Sequence, residues 1–152
     1  MNLNELHPAL TGLEQLRALI ASGGRSPIGE MLDFDLVEIE QGRAVFSGSP
    51  GPRVYNPIGG VHGGYAATLL DSACGCAVHA SLSATQSYTT LELKVAYHRG
   101  LTQATGRVRA VGTVVSIGRR VAFAEAQLLD GQGQLYASAS STLLVFERAA
   151  NP

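Results

Sequence analysis

Residues 64–82 constrain this chain more than any other stretch. Tyr65, Ala66, Ala67, Leu69, Leu70, Ala73, Cys74, Cys76, Ala77 and Val78 fall on nearly every side of a helical wheel. A helix that is apolar almost all round has to be buried. Only Thr68, Asp71, Ser72, Gly75 and His79 interrupt it, and their spacing of three and four gathers them into one narrow stripe. What surrounds such a helix must come from the rest of the chain, and the rest reads mostly as strand. Before it, Phe34 and Leu36 alternate with Asp35, Glu38 and Glu40, Gln41-Gly42 makes a turn, and residues 43–48 return. After it, residues 88–98 alternate with Leu91, Leu93 and Val95 on one side and Glu92, Lys94 and Ala96 on the other. Residues 105–117, 119–129 and 134–146 follow as strands, broken by Gly118 and by a hairpin at Asp130-Gly131-Gln132-Gly133. Short connections imply antiparallel pairing. The expected architecture is therefore α+β, a curled antiparallel sheet of five to six strands around one long central helix.

The 152 residues show no break in composition and fit one domain, with residues 1–30 as an N-terminal helical extension and 31–147 as the core. Within the extension, Leu10, Leu13, Leu16, Leu19 and Ile20 predict a short amphipathic helix over residues 6–21, ended by Ser22-Gly23-Gly24, and residues 27–32 predict a further short turn or helix. The chain is 45% hydrophobic, 15% charged and carries a formal net charge of -1, with no basic stripe, so nucleic acid is not an expected partner. No unbroken apolar run reaches the ~18 residues of a membrane span, and the first residues lack the pattern of a secretory signal, so no membrane partner and a cytoplasmic location are expected. Cys74 and Cys76 are too few for a structural zinc site or a disulfide framework and read as two small buried thiols. His7, His79 and His98 share no ligand spacing with an acid or a cysteine and read as structural or surface residues, so no metal is expected.

The irregular loop ahead of the helix carries the most specific pattern. Asn56-Pro57-Ile58-Gly59-Gly60-Val61-His62-Gly63-Gly64 runs into the apolar helix with its acid at Asp71. With Thr89-Thr90-Leu91-Glu92-Leu93-Lys94-Val95 and the Gly118-Arg119-Arg120 turn, this segment resembles the PaaI-type acyl-CoA thioesterases of the hotdog-fold, 4-hydroxybenzoyl-CoA thioesterase superfamily. The likeness spans roughly residues 31–146. It implies hydrolysis of an acyl- or aryl-CoA thioester with no cofactor, coenzyme A being part of the substrate. It also implies a homodimer whose sites combine the acid of one chain with the His-Gly-Gly loop of the other, and a homotetramer of two such dimers.

The chemistry of the residues is consistent with that implication. Thioester hydrolysis needs an oxyanion stabiliser, a nucleophile or base, and a dry slot for the acyl group. Glycine backbone opening a helix offers free N–H groups, so the amide of Gly63 or Gly64 suits the thioester carbonyl. Asp71 lies too deep in the helix to be a cap, and a carboxylate among apolar neighbours needs a partner or a task. It is either a structural acid or, as the resemblance implies, the group that attacks the thioester or activates water. Asn56 is either a turn residue before Pro57 or a group that orients the carbonyl, and His62 either braces the loop or moves a proton. Thr90 is a strand residue or, by resemblance, the hydroxyl that holds the attacking water. Ser72, Tyr65, Leu69, Tyr88 and the N-terminal helix are candidate substrate contacts. Arg119 and Arg120 are either solvated turn charges or a fork for the coenzyme A phosphates, with Arg53 and Arg99 behind them.

Two other activities suit such a chain. A hotdog dehydratase or hydratase needs a His and an acid placed together as an acid/base pair. Here His62 precedes the helix glycines instead, which favours hydrolysis. A non-catalytic acyl-CoA binder explains a pocket but gives Asp71 no task.

Overall fold

The computed structural model describes residues 3–148. Six strands form one antiparallel sheet in the order β1-β2-β4-β5-β6-β3: β1 (Phe34–Glu40), β2 (Arg43–Gly48), β3 (Gln86–Tyr97), β4 (Val108–Ile117), β5 (Val121–Leu129) and β6 (Leu135–Glu147). Helices α1 (Leu3–Leu6), α2 (Gly12–Ala21) and α3 (Pro27–Leu32) precede the sheet, and α4 (Gly63–His79) lies between β2 and β3 in the chain and against the sheet's inner face. This is the hotdog arrangement, a curled sheet around one long helix.

Small residues make that wrapping possible. A row across the sheet reads Ala44, Gly112, Ala126, Ala139 and Val95, each opposite the next. Ala44 and Ala126 are buried, as are Ala110, Ala122, Ala124 and Ala137 around them. The bulk comes from the helix instead, where Leu69, Leu70 and Val78 are fully buried. At Gly112 the approach is closest, because a Cβ there would stand 2.4 Å from the Ala73 carbonyl.

The structure departs from the sequence reading in four places. The expected helix over residues 6–21 is shorter, since α1 ends at Leu6, residues 7–11 form a turn and Thr11 starts α2 with a capping box to Glu14. The strand expected from residue 105 begins at Val108, because Gln103–Thr105 form a 3-10 turn and Gly106 takes a positive φ of 73°. The strand expected from residue 119 begins at Val121, leaving Arg119 and Arg120 in the turn. Leu91 does not share a face with Leu93 and Val95. The register of β3 against β6 slips between Thr90 and Glu92, so Leu91 is a bulge residue and is 59% exposed. The extra residue restores Leu93 and Val95 to the inner face and leaves Thr90 on that face too.

The N-terminal segment is tied to the far end of α4. Gly12 N–H donates to the Leu82 carbonyl at 3.1 Å. Gln15, 1% exposed, donates from Nε2 to the His7 carbonyl at 2.8 Å, and its Oε1 lies 2.8 Å from His79 Nε2. That Oε1 is an acceptor, so His79 holds its proton on Nε2. The Arg148 guanidinium donates to the carbonyls of Pro8 and Ala84 from the end of β6. Burial holds the His79 pKa below its ordinary value, and the nearby positive charge of Arg148 adds to the effect.

Two outcomes follow from this packing. Gly112→Ala drives a methyl into helix backbone, and urea denaturation is expected to show a loss of about 1–3 kcal/mol. His79 binds a proton more weakly folded than unfolded. Its contribution is therefore complete above the unfolded pKa near 6.5 and is lost as pH falls from there towards the lower folded pKa. Melting temperatures between pH 5 and 8 should fall on the acid side more steeply for the wild type than for His79→Gln.

Candidate active site

The loop from Pro52 to His62 braces the start of α4. Asn56 Oδ1 accepts from the N–H groups of Ile58 and Gly60, both at 3.1 Å, and Asn56 N–H donates to the Gly60 carbonyl at 2.8 Å. The Asn56 carbonyl oxygen is thus spent inside its own loop. His62 caps the helix, its Nδ1 accepting from Gly64 N–H at 2.8 Å, which places the ring proton on Nε2. Of the two amides expected to face a carbonyl, Gly64 is therefore already engaged. Gly63 N–H has no partner among the described residues. The Tyr97 hydroxyl donates to the Gly63 carbonyl at 2.9 Å, and its ring would sit 3.0 Å from any Cβ at Gly63. His62, Gly63, Ala66, Tyr97 and Arg99 line a cavity of about 320 Å³.

Asp71 belongs to a different cavity. The stripe on α4 is open at Thr68, Asp71 and Ser72, which are half-buried, and covered at Gly75 and His79. Tyr88 fills the space over Gly75, where a Cβ would meet its hydroxyl at 2.5 Å, and Gln15 covers His79. The β3 bulge brings Thr90 inward, and its hydroxyl donates to Asp71 Oδ1 at 3.0 Å. Asp71 pairs with no cation among the described residues. The carboxylate, Ser72 and Thr90 open on a cavity of about 290 Å³ whose other walls are largely apolar, among them Leu16, Leu19, Phe34, Phe46 and Tyr88. Burial, with the Asp71 charge added, pushes the Cys74 and Cys76 thiols up to about 12, so both are neutral and inert near neutral pH. Burial likewise raises the Tyr88 phenol.

The candidate residues thus separate into groups. Asp71, Ser72 and Thr90 share one cavity with Tyr88 and the N-terminal helices, while His62 and Gly63 share another. Gly63 and Asp71 are eight residues apart on one helix, about 12 Å along its axis, so one thioester carbonyl cannot touch both in a single chain. Tyr65 borders neither cavity. It is buried against Gly48, where a Cβ would meet its hydroxyl at 2.4 Å, and that hydroxyl has no hydrogen-bond partner among the described residues. Leu69 is core. Arg119 and Arg120 are exposed in the β4–β5 turn and border neither cavity, and Arg53 lines a separate pocket near Met31 and Asp33. Tyr97 is a contact that sequence reading missed, and Arg99 is one it ranked low. Tyr97 lies 34 residues from Gly63, and only the strand order of β3 beside β6 carries it there. Among the described residues, no three His, Cys, Asp or Glu side chains are grouped to hold a metal ion, and no helix is long and apolar enough to cross a membrane.

A curled sheet around an apolar helix, opened by a glycine turn and carrying a half-buried acid, is the frame of a hotdog thioesterase. Residues 58–137 match the family model of the thioesterase superfamily, and the chain belongs to that family. A conserved protein of Pseudomonas aeruginosa is 30% identical, with 80% of this chain and 95% of that one covered and a TM-score of 0.74. A point mutant of the phenylacetic acid degradation protein PaaI from Thermus thermophilus is 27% identical, with 78% and 98% covered and a TM-score of 0.71. A thioesterase from Haemophilus influenzae, 19% identical, shares the fold with a TM-score of 0.75 over 89% of this chain and 90% of that one. A search of curated proteins by sequence found no match.

The cap at the start of α4 is open to a direct test. His62→Ala leaves Gly64 N–H without its acceptor and is expected to lower unfolding free energy by about 0.5–2 kcal/mol, whereas His62→Asn, a good cap, retains most of it. Urea midpoints of the two variants check this.

Proposed function

We propose that this protein hydrolyses acyl- or aryl-CoA thioesters to the free acid and CoA, with Asp71 as the reacting carboxylate. One observation carries the reading: a carboxylate paired with no cation among the described residues, held by the Thr90 hydroxyl at 3.0 Å, opens on an apolar cavity. A carboxylate on an apolar helix with one hydroxyl for a partner and an open face on an apolar cavity is costly without a task. Thr90 occupies Oδ1, which leaves Oδ2 free to attack the thioester carbonyl or to take a proton from an attacking water. Either route puts negative charge on the carbonyl oxygen and expels coenzyme A as its thiolate; after direct attack, water then cleaves the acyl–Asp71 anhydride, which releases the free acid and regenerates the carboxylate. The Gly63 N–H at the start of α4, where the helix dipole adds positive potential, suits that oxygen.

The 12 Å between Gly63 and Asp71 supports giving these roles to two chains. In this reading two copies pair through the free edge of β3, and the open stripe of α4 packs against its counterpart. The acid of each copy then meets the His62-Gly63 turn of the other. A strand of 12 residues whose outer edge has no partner strand among the described residues is a liability that such pairing removes. Two such dimers make the homotetramer implied by the resemblance. Arg99, beside Gly63, and the Arg119-Arg120 turn are the cations offered to the coenzyme A phosphates. The hydratase alternative fits less well, because His62 Nδ1 is already engaged in capping its own helix.

Thiol release from a panel of aliphatic and aromatic acyl-CoAs tests the assignment. Asp71→Asn is expected to reduce kcat/KM by about 10²- to 10⁴-fold. Thr90→Val should cost about tenfold or more, from loss of a hydrogen bond to a charged group, and Thr90→Ser should restore much of it. No thiol release by the folded wild type on any member of the panel would refute the proposal.

A further inference from the structure

The cavity beside Asp71 is walled by a part of the chain that lies outside the matched family segment 58–137. Leu16 and Leu19 of α2 and Ile28 of α3 face it together with Phe34 and Phe46 of the sheet and Tyr88. Its remaining charges cancel. Arg25 borders the cavity but is already paired, with Asp33 at 3.1 Å and with Asp35, which is also in the wall. Among the described residues, Asp71 is thus the one charge in the lining without an ionic partner. The volume of about 290 Å³ holds roughly ten water-sized groups at about 30 Å³ each.

The wall is also fixed in place. Gly12 and Gln15 tie α2 to the end of α4, and Arg148 ties the turn before α2, at Pro8, to the segment before β3. A side chain on Gly12 would meet the His79 carbonyl at 1.8 Å, so the helix is seated as closely as backbone allows. A slot closed by a seated helix has a fixed depth.

Resting on the thioesterase reading above, we infer that α2 and α3 close the acyl slot and set which acyl groups are used. The slot takes an uncharged acyl group of roughly eight to ten carbon-sized units, either a medium aliphatic chain or a phenyl ring on a short tether. A second carboxylate, as in a succinyl or malonyl group, would meet apolar wall and an arginine already paired, and is rejected. Leu19 and Ile28 are the depth-setting residues. Leu19 is half-buried and Ile28 is 47% exposed, so trimming either leaves the core intact.

Two readouts test this. The first is kcat/KM for thiol release from acyl-CoAs of four to sixteen carbons, phenylacetyl-CoA and succinyl-CoA. The second is calorimetric affinity for S-alkyl-CoA thioethers of the same lengths, which bind without turning over. In the wild type both should rise with chain length to a limit and then fall, with succinyl-CoA poorest. Leu19→Ala and Ile28→Ala should move the limit to longer chains, by about fourfold for each further methylene admitted (about 0.8 kcal/mol). Leu19→Trp should move it to shorter ones. A wild type that hydrolyses thioesters, with profiles that none of the three variants moves, would overturn this inference and leave the activity standing. Thioether profiles that shift with Leu19 in a protein that releases no thiol would keep the slot and remove the activity. If neither is seen, both fall.

Discussion

The contact between α4 and the row Ala44, Gly112, Ala126 and Ala139 is where the rest of the structure begins. A sheet can close around a helix only if one partner gives up side-chain volume, and here the sheet gives it up. With a glycine beneath Ala73, the helix axis comes close enough for all six strands to reach it. Leu69, Leu70 and Val78 then fill what the alanines leave. Because interiors are packed near crystal density, this exchange of large for small has to hold along the whole row.

That seating leaves one side of α4 uncovered by its own sheet. The open residues there, Thr68, Asp71 and Ser72, follow from where the sheet ends and from where Tyr88 and Gln15 reach over the helix. The bulge at Leu91 serves the same site from the other side. It puts Thr90 and the apolar residues Leu93 and Val95 on one face, which strict alternation forbids. A hydroxyl reaches Asp71 without loss of core packing further along the strand.

The helix also separates the two kinds of chemistry it carries. Its first turn offers an amide hydrogen at Gly63, and its middle offers a carboxylate at Asp71, about 12 Å away. On the reading proposed here, association of two chains closes that gap, so assembly and activity share one surface. The N-terminal helices play a different part. They add apolar wall to the carboxylate's cavity and make its depth a property of this chain's own extension.

Much was legible in the sequence. The all-round apolar helix demanded burial, the alternating segments supplied strands, and the Asn-Pro…His-Gly-Gly pattern located the turn before the helix. These features are local, set by periodicity and by glycine and proline chemistry over a few residues. The sequence left four things open. His62 is the cap that engages Gly64, so of the two glycine amides Gly63 is the one without a partner among the described residues. Tyr97 and Arg99 stand beside that turn, and Tyr65 borders neither cavity. Leu91 is expelled so that Thr90 can face Asp71. The cap is local, a ring nitrogen turned to an amide two residues on; the others were decided only by tertiary structure, through contacts between residues far apart in the chain or a register that composition does not encode. A helical stripe says that Asp71 and Thr68 share a face, but only the packing of a whole sheet determines what that face meets.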